Sequence, residues 1–372
     1  MNKPFKNTFK LNIGPQHPST HGVLRCVEEL DGERIKSLDF VIGYLHRGLE
    51  KMAENMTYLQ YLAIVDRVDY LSGFFCSQAY LNAVETASEI EIPIKAQYIR
   101  VLTMELNRIS SHLLWLASFL MDLGATSPYF YCFRERETVL DFFEKITGAR
   151  MMYNYYTFGG VKSDISLDIL DKISEFLDDF PSRVQEYENI ITYNPIFLDR
   201  TKNVGVISLK QAQNHSLTGV NLRASGSRAD LRKDKSYLIY DKLDFEVPFS
   251  IYGDSYTRYQ IRIREMLESR KIVIQCLDWL KSNNTDDKIN HNINAKTLKI
   301  DSGLLLGRVE APRGEIICWL YSDGTNKPSR VKWRTPSFYA LQVLPEIMKG
   351  KMYSDLMSAF GSLDVIMPEV DR

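Results

Sequence analysis

The sequence predicts an α+β protein built around a helical core, and three stretches carry that prediction. Between Lys95 and Asp122, the residues Ile99, Leu102, Leu106, Ile109, Leu113, Leu116 and Leu120 recur at alternating spacings of three and four. That is the period of a helix face packing against other helices. Residues 5–42 alternate short apolar runs with turn signals such as "DGER", which reads as a small β region. Residues 304–324, "LLLGRVEAPRGEIICWLYSDG", read as two strands joined by a turn at Pro312–Gly314.

The other elements follow in order. A long helix is expected from about Met56 to Ser88, then the central one from Lys95 to Asp122, with Gly124 as its stop. Beyond Leu113 the central helix is apolar nearly all round, so that half is expected to be buried on every side. A third helix covers about Phe133 to Gly148, and "SLDILDKISEFLDDFPSRVQEYENII" reads as two more, divided near Pro181. This middle section has the texture of a bundle. After Ile196, "NVGVISL" and "SYLIYD" read as short strands, "QIRIREMLESRKIVIQCLDWL" as a helix, and "KSNNTDDKINHNINAK" as a polar loop without a core. Two short helices and an extended tail are expected to close the chain. The organisation is therefore an N-terminal β region over residues 1–42, a helical bundle over 43–190 and a mixed region over 191–372, joined as one continuous unit.

Composition narrows the function. A net charge of −1 supplies no field for nucleic acid or an anionic membrane. Five widely separated cysteines, without a CxxC, argue against a disulfide framework, a zinc ribbon or a self-contained iron–sulfur site. A reducing cytoplasm fits that usage. The first residues, "MNKPFKNTFKLN", lack the apolar core of a signal peptide. The most apolar run, Leu113 to Ala125, is too short to span a bilayer and contains Asp122. Work at a membrane is expected from outside the lipid.

Several residues are candidates for chemistry. "GPQHPSTHG" sets His17 and His21 four apart, but its prolines and glycines argue against a helix. With no HExxH and no third ligand in view, zinc is poorly supported. The alternatives are a turn whose histidines satisfy backbone groups, or a stiff loop presenting one imidazole to a cavity. In "DRVDYLS", Asp66 and Tyr70 would share a helical face, with Tyr70 at a pocket wall and Arg67 and Asp69 as ordinary surface ions. Asp122 ends an apolar run, where it either reaches solvent or holds a histidine. "GYLHRGLEK", with His46 and Arg47, reads as a helix start. "LRASGSRADLRK" lacks the phosphate-loop pattern and reads as a solvated basic loop.

Taken together, the stretches resemble the D-subunit family of bacterial respiratory complex I, whose mitochondrial counterpart carries the quinone site. They are "LNIGPQHPSTHGVLR", "IGYLHRGLEK", "TYLQYLAIVDRVDYLS", "IRVLTMELNRISSHLLWL", "DLGATSPYFYCFRERE", "NPIFLDRTKNVGV", "LTGVNLRASGSRADLRK", "IRIREMLES", "EAPRGE", "YSDGTNKPSRVKWRTPSF" and "SLDVIMPEVDR". They run in order over essentially the whole chain.

The resemblance implies a fold like the large subunit of nickel–iron hydrogenases, without the paired CxxC motifs that hold the metal there. Hydrogenase chemistry is therefore not expected. It implies a subunit of the peripheral arm of a proton-translocating NADH-quinone oxidoreductase, on the cytoplasmic side of the bacterial inner membrane. Quinone is the substrate. This chain would hold no metal or iron–sulfur cluster, and partner subunits would carry the clusters and FMN. The implied partners are the iron–sulfur B-subunit, the C-subunit, other peripheral-arm subunits and the membrane-arm H-subunit. By motif, His21 and Tyr70 are the expected donors to the quinone headgroup, Asp122 contacts the histidine, and Arg47 lies near the partner's cluster. A non-catalytic scaffold joining the cluster-bearing partner to the membrane arm is the alternative.

Three positions depart from the family pattern. Met152 and Thr157 stand where histidine and arginine are common near the cluster, and Pro368 replaces a glycine. Less positive charge favours the oxidised cluster. A lowered cluster potential with weak pH dependence is expected, and redox titration at two pH values checks it; a steep dependence would contradict it.

Overall fold

The structure, a computed structural model, describes residues 8–17, 22–283, 288–291, 293–294 and 296–372. Its N-terminal part is the expected β region. Strands β1 (Thr8–Ile13), β4 (Arg25–Asp31) and β5 (Arg34–Val41) form an antiparallel sheet in the order β1-β4-β5. A small hairpin, β2 (Gln16–His17) against β3 (Gly22–Val23), grows from it. Gly14 makes the corner at φ +85°; a Cβ there would stand 2.0 Å from the Leu24 carbonyl oxygen. Ile13, Leu30, Ile35 and Leu38 of the sheet share one buried cluster with Leu341, Leu344 and Val370 from the far end of the chain.

The helical part begins with α1 (Leu49–Ala53) and α2 (Tyr58–Leu62). The long helix expected over residues 56–88 is not formed. A capping box between Thr57 and Gln60 starts α2, a 3-10 turn covers Val65–Arg67, and α3 runs Gly73–Ala87. The interruption has a cause in the polar residues: Asp66 accepts the Asn154 amide, and Asp69 accepts the Leu71 amide and an arginine. Short carboxylates thus take over groups that a helix would otherwise use. Asp66 and Tyr70 consequently do not share a helical face, and Asp69 is 1% exposed rather than a surface ion.

Helix α4 (Ile94–Asp122) is the axis of the bundle, packed on α3, α5 (Ser127–Thr147) and α11 (Ser255–Ser282). All seven seam residues named from the sequence are at most 1% exposed. Gly124 follows its end at φ +89°, as a helix stop requires. After α5 a minimal hairpin pairs β6 (Tyr156–Thr157) with β7 (Gly160–Val161). The two helices expected on either side of Pro181 are one, α6 (Leu167–Ile191). Its stripe Leu170, Ile173, Leu177, Phe180, Val184, Tyr187 and Ile191 is buried throughout. Each such side chain contributes about 1.5–3 kcal/mol, which together outweigh the ~3 kcal/mol cost of an internal proline.

The expected strands "NVGVISL" and "SYLIYD" are absent. Short helices occupy this region: α7 (Pro195–Thr201), α8 (Leu209–Asn214), α9 (Gly219–Arg223) and α10 (Leu231–Asp234). Ser208 caps α8 with Gln211, and "SYLIYD" ends in a 3-10 turn at Tyr240–Lys242. Only some of the apolar residues in these stretches are buried, Ile207 on the C-terminal helices and Ile239 with Tyr240 in the bundle, while Val206 and Leu209 stay exposed, so strand-like composition meets no partner strand. Parts of "KSNNTDDKINHNINAK" lie outside the described residues; of the rest, Ile289 and Ile293 pack on the main core. Strands β8 (Gly303–Ala311) and β9 (Gly314–Ser322) form the expected hairpin, and β10 (Pro328–Arg334), not foreseen, completes the meander. Helices α12 (Pro336–Met348) and α13 (Tyr353–Ser362) follow. The tail is not extended: it forms α14 (Met367–Asp371), with Pro368 in the first turn, where a missing N–H costs nothing. Among the described residues no helix is long and apolar enough to cross a membrane.

Candidate functional site

The segment from Gly361 to Arg372 runs past the parts of the predicted site in turn. At Gly361 its carbonyl accepts the Trp115 indole N–H at 2.8 Å, fixing it to α4. A Cβ on Gly361 would stand 3.6 Å from Asp122 Oδ2, so Asp122 lies against this segment at the end of α4, partly exposed. Asp364 then meets Arg313, from the β8–β9 turn, at 3.4 Å. Met367 lies against Gly22, where a Cβ would come within 3.2 Å. Asp371 receives the Gly43 and Leu45 amides on its two carboxylate oxygens, both at 2.8 Å. Its carbonyl pairs with His46 Nδ1 at 2.8 Å, and the Arg47 amide donates to the Arg372 carbonyl at 3.1 Å. "GYLHRGLEK" is thus a loop moulded around the C-terminal segment that only afterwards becomes α1.

Tyr70 sits half-buried in the turn between the 3-10 turn and α3. Arg313 Nη1 donates to Asp69 Oδ2 at 2.7 Å and to Ser72 Oγ at 2.9 Å, one residue before Tyr70 and two after it. Asn107 of α4 donates to the Leu71 carbonyl at 2.9 Å. Burial raises the Tyr70 phenol above its usual range, and the Asp69 carboxylate adds to the rise; Arg313 and Arg136 oppose it. Tyr70 therefore keeps its proton at neutral pH and can donate a hydrogen bond. Glu369 accepts from the Ser337 hydroxyl, and burial together with Asp69 pushes its carboxyl up to about 8. Among the described residues, buried Arg313 Nη2, Asp364 Oδ2 and Glu369 Oε1 have no hydrogen-bond partner.

His21 lies outside the described residues. His17 pairs through its backbone with Gly22 in the hairpin, and residues 18–21 between them lie outside the described residues. Arg47 is exposed; its guanidinium donates to the Arg67 carbonyl, and desolvation and the Arg67 charge lower its pKa while Asp371 raises it. Thr157 lies in β6, and its carbonyl accepts from buried Arg100 at 2.8 Å. Met152 is 39% exposed at φ 56°. Among the described residues no group of three or more His, Cys, Asp or Glu is placed to hold a metal ion.

Sequence reasoning missed Arg313, Asp364 and Glu369. Their only signal was charge set among apolar residues in "EAPRGE" and "SLDVIMPEVDR". It also misjudged "LRASGSRADLRK", which is not a solvated loop. Arg223 and Arg232 are fully buried. Arg223 pairs with Glu265 at 2.7 Å and Glu310 at 2.8 Å; Arg232 pairs with Asp230 at 2.7 Å and Glu105 at 3.3 Å. Burial alone would raise Glu105, yet Arg108 and Arg232 hold it down at about 2. A basic loop can enter a core when carboxylates from other elements meet every guanidinium, which sequence spacing does not reveal.

Comparison with known proteins fits this architecture. The family of the respiratory-chain NADH dehydrogenase 49 Kd subunit matches residues 122–372. The NADH-quinone oxidoreductase D-subunit of Bacillus mycoides (strain KBAB4) is 45% identical over 361 residues, covering 97% of this chain and 98% of that protein. The protein of the same name from Geobacillus thermodenitrificans is 44% identical over the same shares of each. The chain belongs to the D-subunit family of NADH-quinone oxidoreductases, that of the 49 Kd subunit of respiratory-chain NADH dehydrogenase.

Proposed function

We propose that this chain forms one wall of the quinone site in the peripheral arm of a proton-translocating NADH-quinone oxidoreductase, at the cytoplasmic side of the bacterial inner membrane. The other wall belongs to the iron–sulfur B-subunit, and further neighbours are the C-subunit and the membrane-arm H-subunit. The observation that carries this reading is the single segment 361–372, laced between Asp122, the turn of Tyr70, Gly22 next in sequence to His21, and the loop of Arg47.

A quinone presents two carbonyl acceptors, and two donors orient it. Tyr70 donates to one and His21 to the other. Partner clusters, fed by FMN, supply two electrons; this chain supplies donors where negative charge develops on the quinone oxygens. Each oxygen takes one proton to give the quinol. Asp122 holds the His21 imidazole and favours its charged form. Arg47 lies toward the partner's cluster.

Photolabelling the assembled complex with an azido-quinone tests the reading. Label is expected on peptides of this chain containing residues 16–23, Tyr70 or residues 361–372, and excess unlabelled quinone should suppress it. Label confined to other subunits would overturn the proposal.

A further inference from the structure

Beside the Tyr70 turn a group of buried charges gathers around Arg313. It draws on three distant parts of the chain: Asp69 beside α3, Arg313 between β8 and β9, and Asp364 with Glu369 beside and within α14. Arg313 is 2% exposed, Asp69 1%, Asp364 4% and Glu369 0%. A surface ion pair would be worth little, but here one guanidinium serves several carboxylates away from water, where charge acts strongly on its neighbours. One nitrogen of that guanidinium grips both shoulders of the Tyr70 turn, at 2.7 Å and 2.9 Å.

We infer that Arg313 is a positioning residue for Tyr70: it fixes the turn through Asp69 and Ser72 and sets a buried cation against the Asp69 carboxylate next to Tyr70 in the chain. This rests on the proposal that Tyr70 donates to the quinone. The groups facing Tyr70 are Asp69 on its own turn, Arg313 from the β8–β9 turn and Arg136 from α5. Those facing Arg313 are Asp69, Asp364, Glu369 and Tyr70, and the buried cation of Arg262 from α11. Asp69 and Arg313 act in opposite senses. The cation at 313 makes the phenol more acidic, and the anion at 69 makes it less so. The step concerned moves a proton only: the Tyr70 O–H bond breaks, a quinol O–H bond forms, and the electrons come from the partner's cluster.

The test uses the assembled complex carrying a ring-fluorinated tyrosine at position 70, whose fluorines lower the phenol's pKa into the range where the enzyme is stable. The alkaline limb of kcat for quinone reduction is then measured with Arg313→Met, Arg313→Lys and Asp69→Asn. Arg313→Met is expected to move the limb to higher pH by about one unit and to lower kcat about ten-fold. Asp69→Asn, which keeps an acceptor for the Leu71 amide, is expected to move it to lower pH. Arg313→Lys should leave the limb nearly in place. A merely structural role would reduce assembled enzyme or raise KM without opposite displacements. If Arg313→Met fails to assemble, Arg313→Gln, which keeps a donor for Asp69 and Ser72 but carries no charge, is measured in its place, with the same displacement to higher pH expected. An unmoved limb, or the same displacement in both variants, overturns the inference. Tyr70→Phe separates the two ideas. Unchanged turnover in that variant defeats the role of Tyr70 itself, whereas lost turnover with unmoved limbs defeats only the role of Arg313.

Discussion

Glu265→Gln is expected to remove about 3–5 kcal/mol of stability, the usual cost of stranding buried charge, and to leave little of the chain in the assembled complex. Glu265 is the hub of the buried network. It accepts Arg223 at 2.7 Å, Arg232 at 3.2 Å and His112 at 2.8 Å, with Arg108 at 4.0 Å. Burial alone would raise its carboxyl, yet Arg223, His112 and Arg108 hold it well below its usual range. Glutamine preserves the shape but removes the charge and points an N–H₂ at a guanidinium. The same linkage fixes the pH dependence. A depressed carboxyl contributes stability that is fully present above the unfolded value of 4.5 and is lost as pH falls below it toward the folded value. As a control, Asp168→Asn breaks only an exposed pair with Lys172 and should cost about 0.5 kcal/mol or less. Thermal unfolding of the complex and the amount of chain retained in it report both variants. Equal behaviour of the two would show that the network holds nothing together.

Tyr70→Phe is expected to slow NADH-to-quinone turnover about 100-fold, as loss of one donor to a developing oxyanion does. The phenyl ring keeps the packing of the turn, and the clamp of Arg313 on Asp69 and Ser72 does not involve the hydroxyl. Electron flow from NADH to an artificial acceptor that draws on clusters upstream of quinone should be retained. That contrast locates the defect at the quinone rather than in assembly. Turnover equal to the unmodified enzyme would instead favour the scaffold role, with the tyrosine a bystander.

How much of the fold was legible in the sequence follows from the range of the interactions. The seam of α4 and the β8–β9 hairpin are encoded by local periodicity, so spacing found them. The break between α2 and α3 was not, because it depends on Asp66 reaching Asn154 and on Asp69 reaching Arg313, partners far off in sequence. Pro181 misled for the same reason: one local defect is outweighed by a stripe whose partners lie on other elements. For the candidate site, the resemblance supplied Tyr70, Asp122, His21 and Arg47. The residues standing behind Tyr70 came only from the folded chain.

The bond from Gly43 to Asp371 joins residues 328 positions apart, and that from Asp69 to Arg313 spans 244. Contacts across such separations close large loops and bring their energy only after most of the chain has been ordered. The contacts of the C-terminal segment are therefore among the last to form in folding, after the bundle has found its seam. These contacts also share one fate: when the turn of α14 loosens, the loop of Arg47, the hairpin at Gly22 and the clamp of Arg313 lose their common support together.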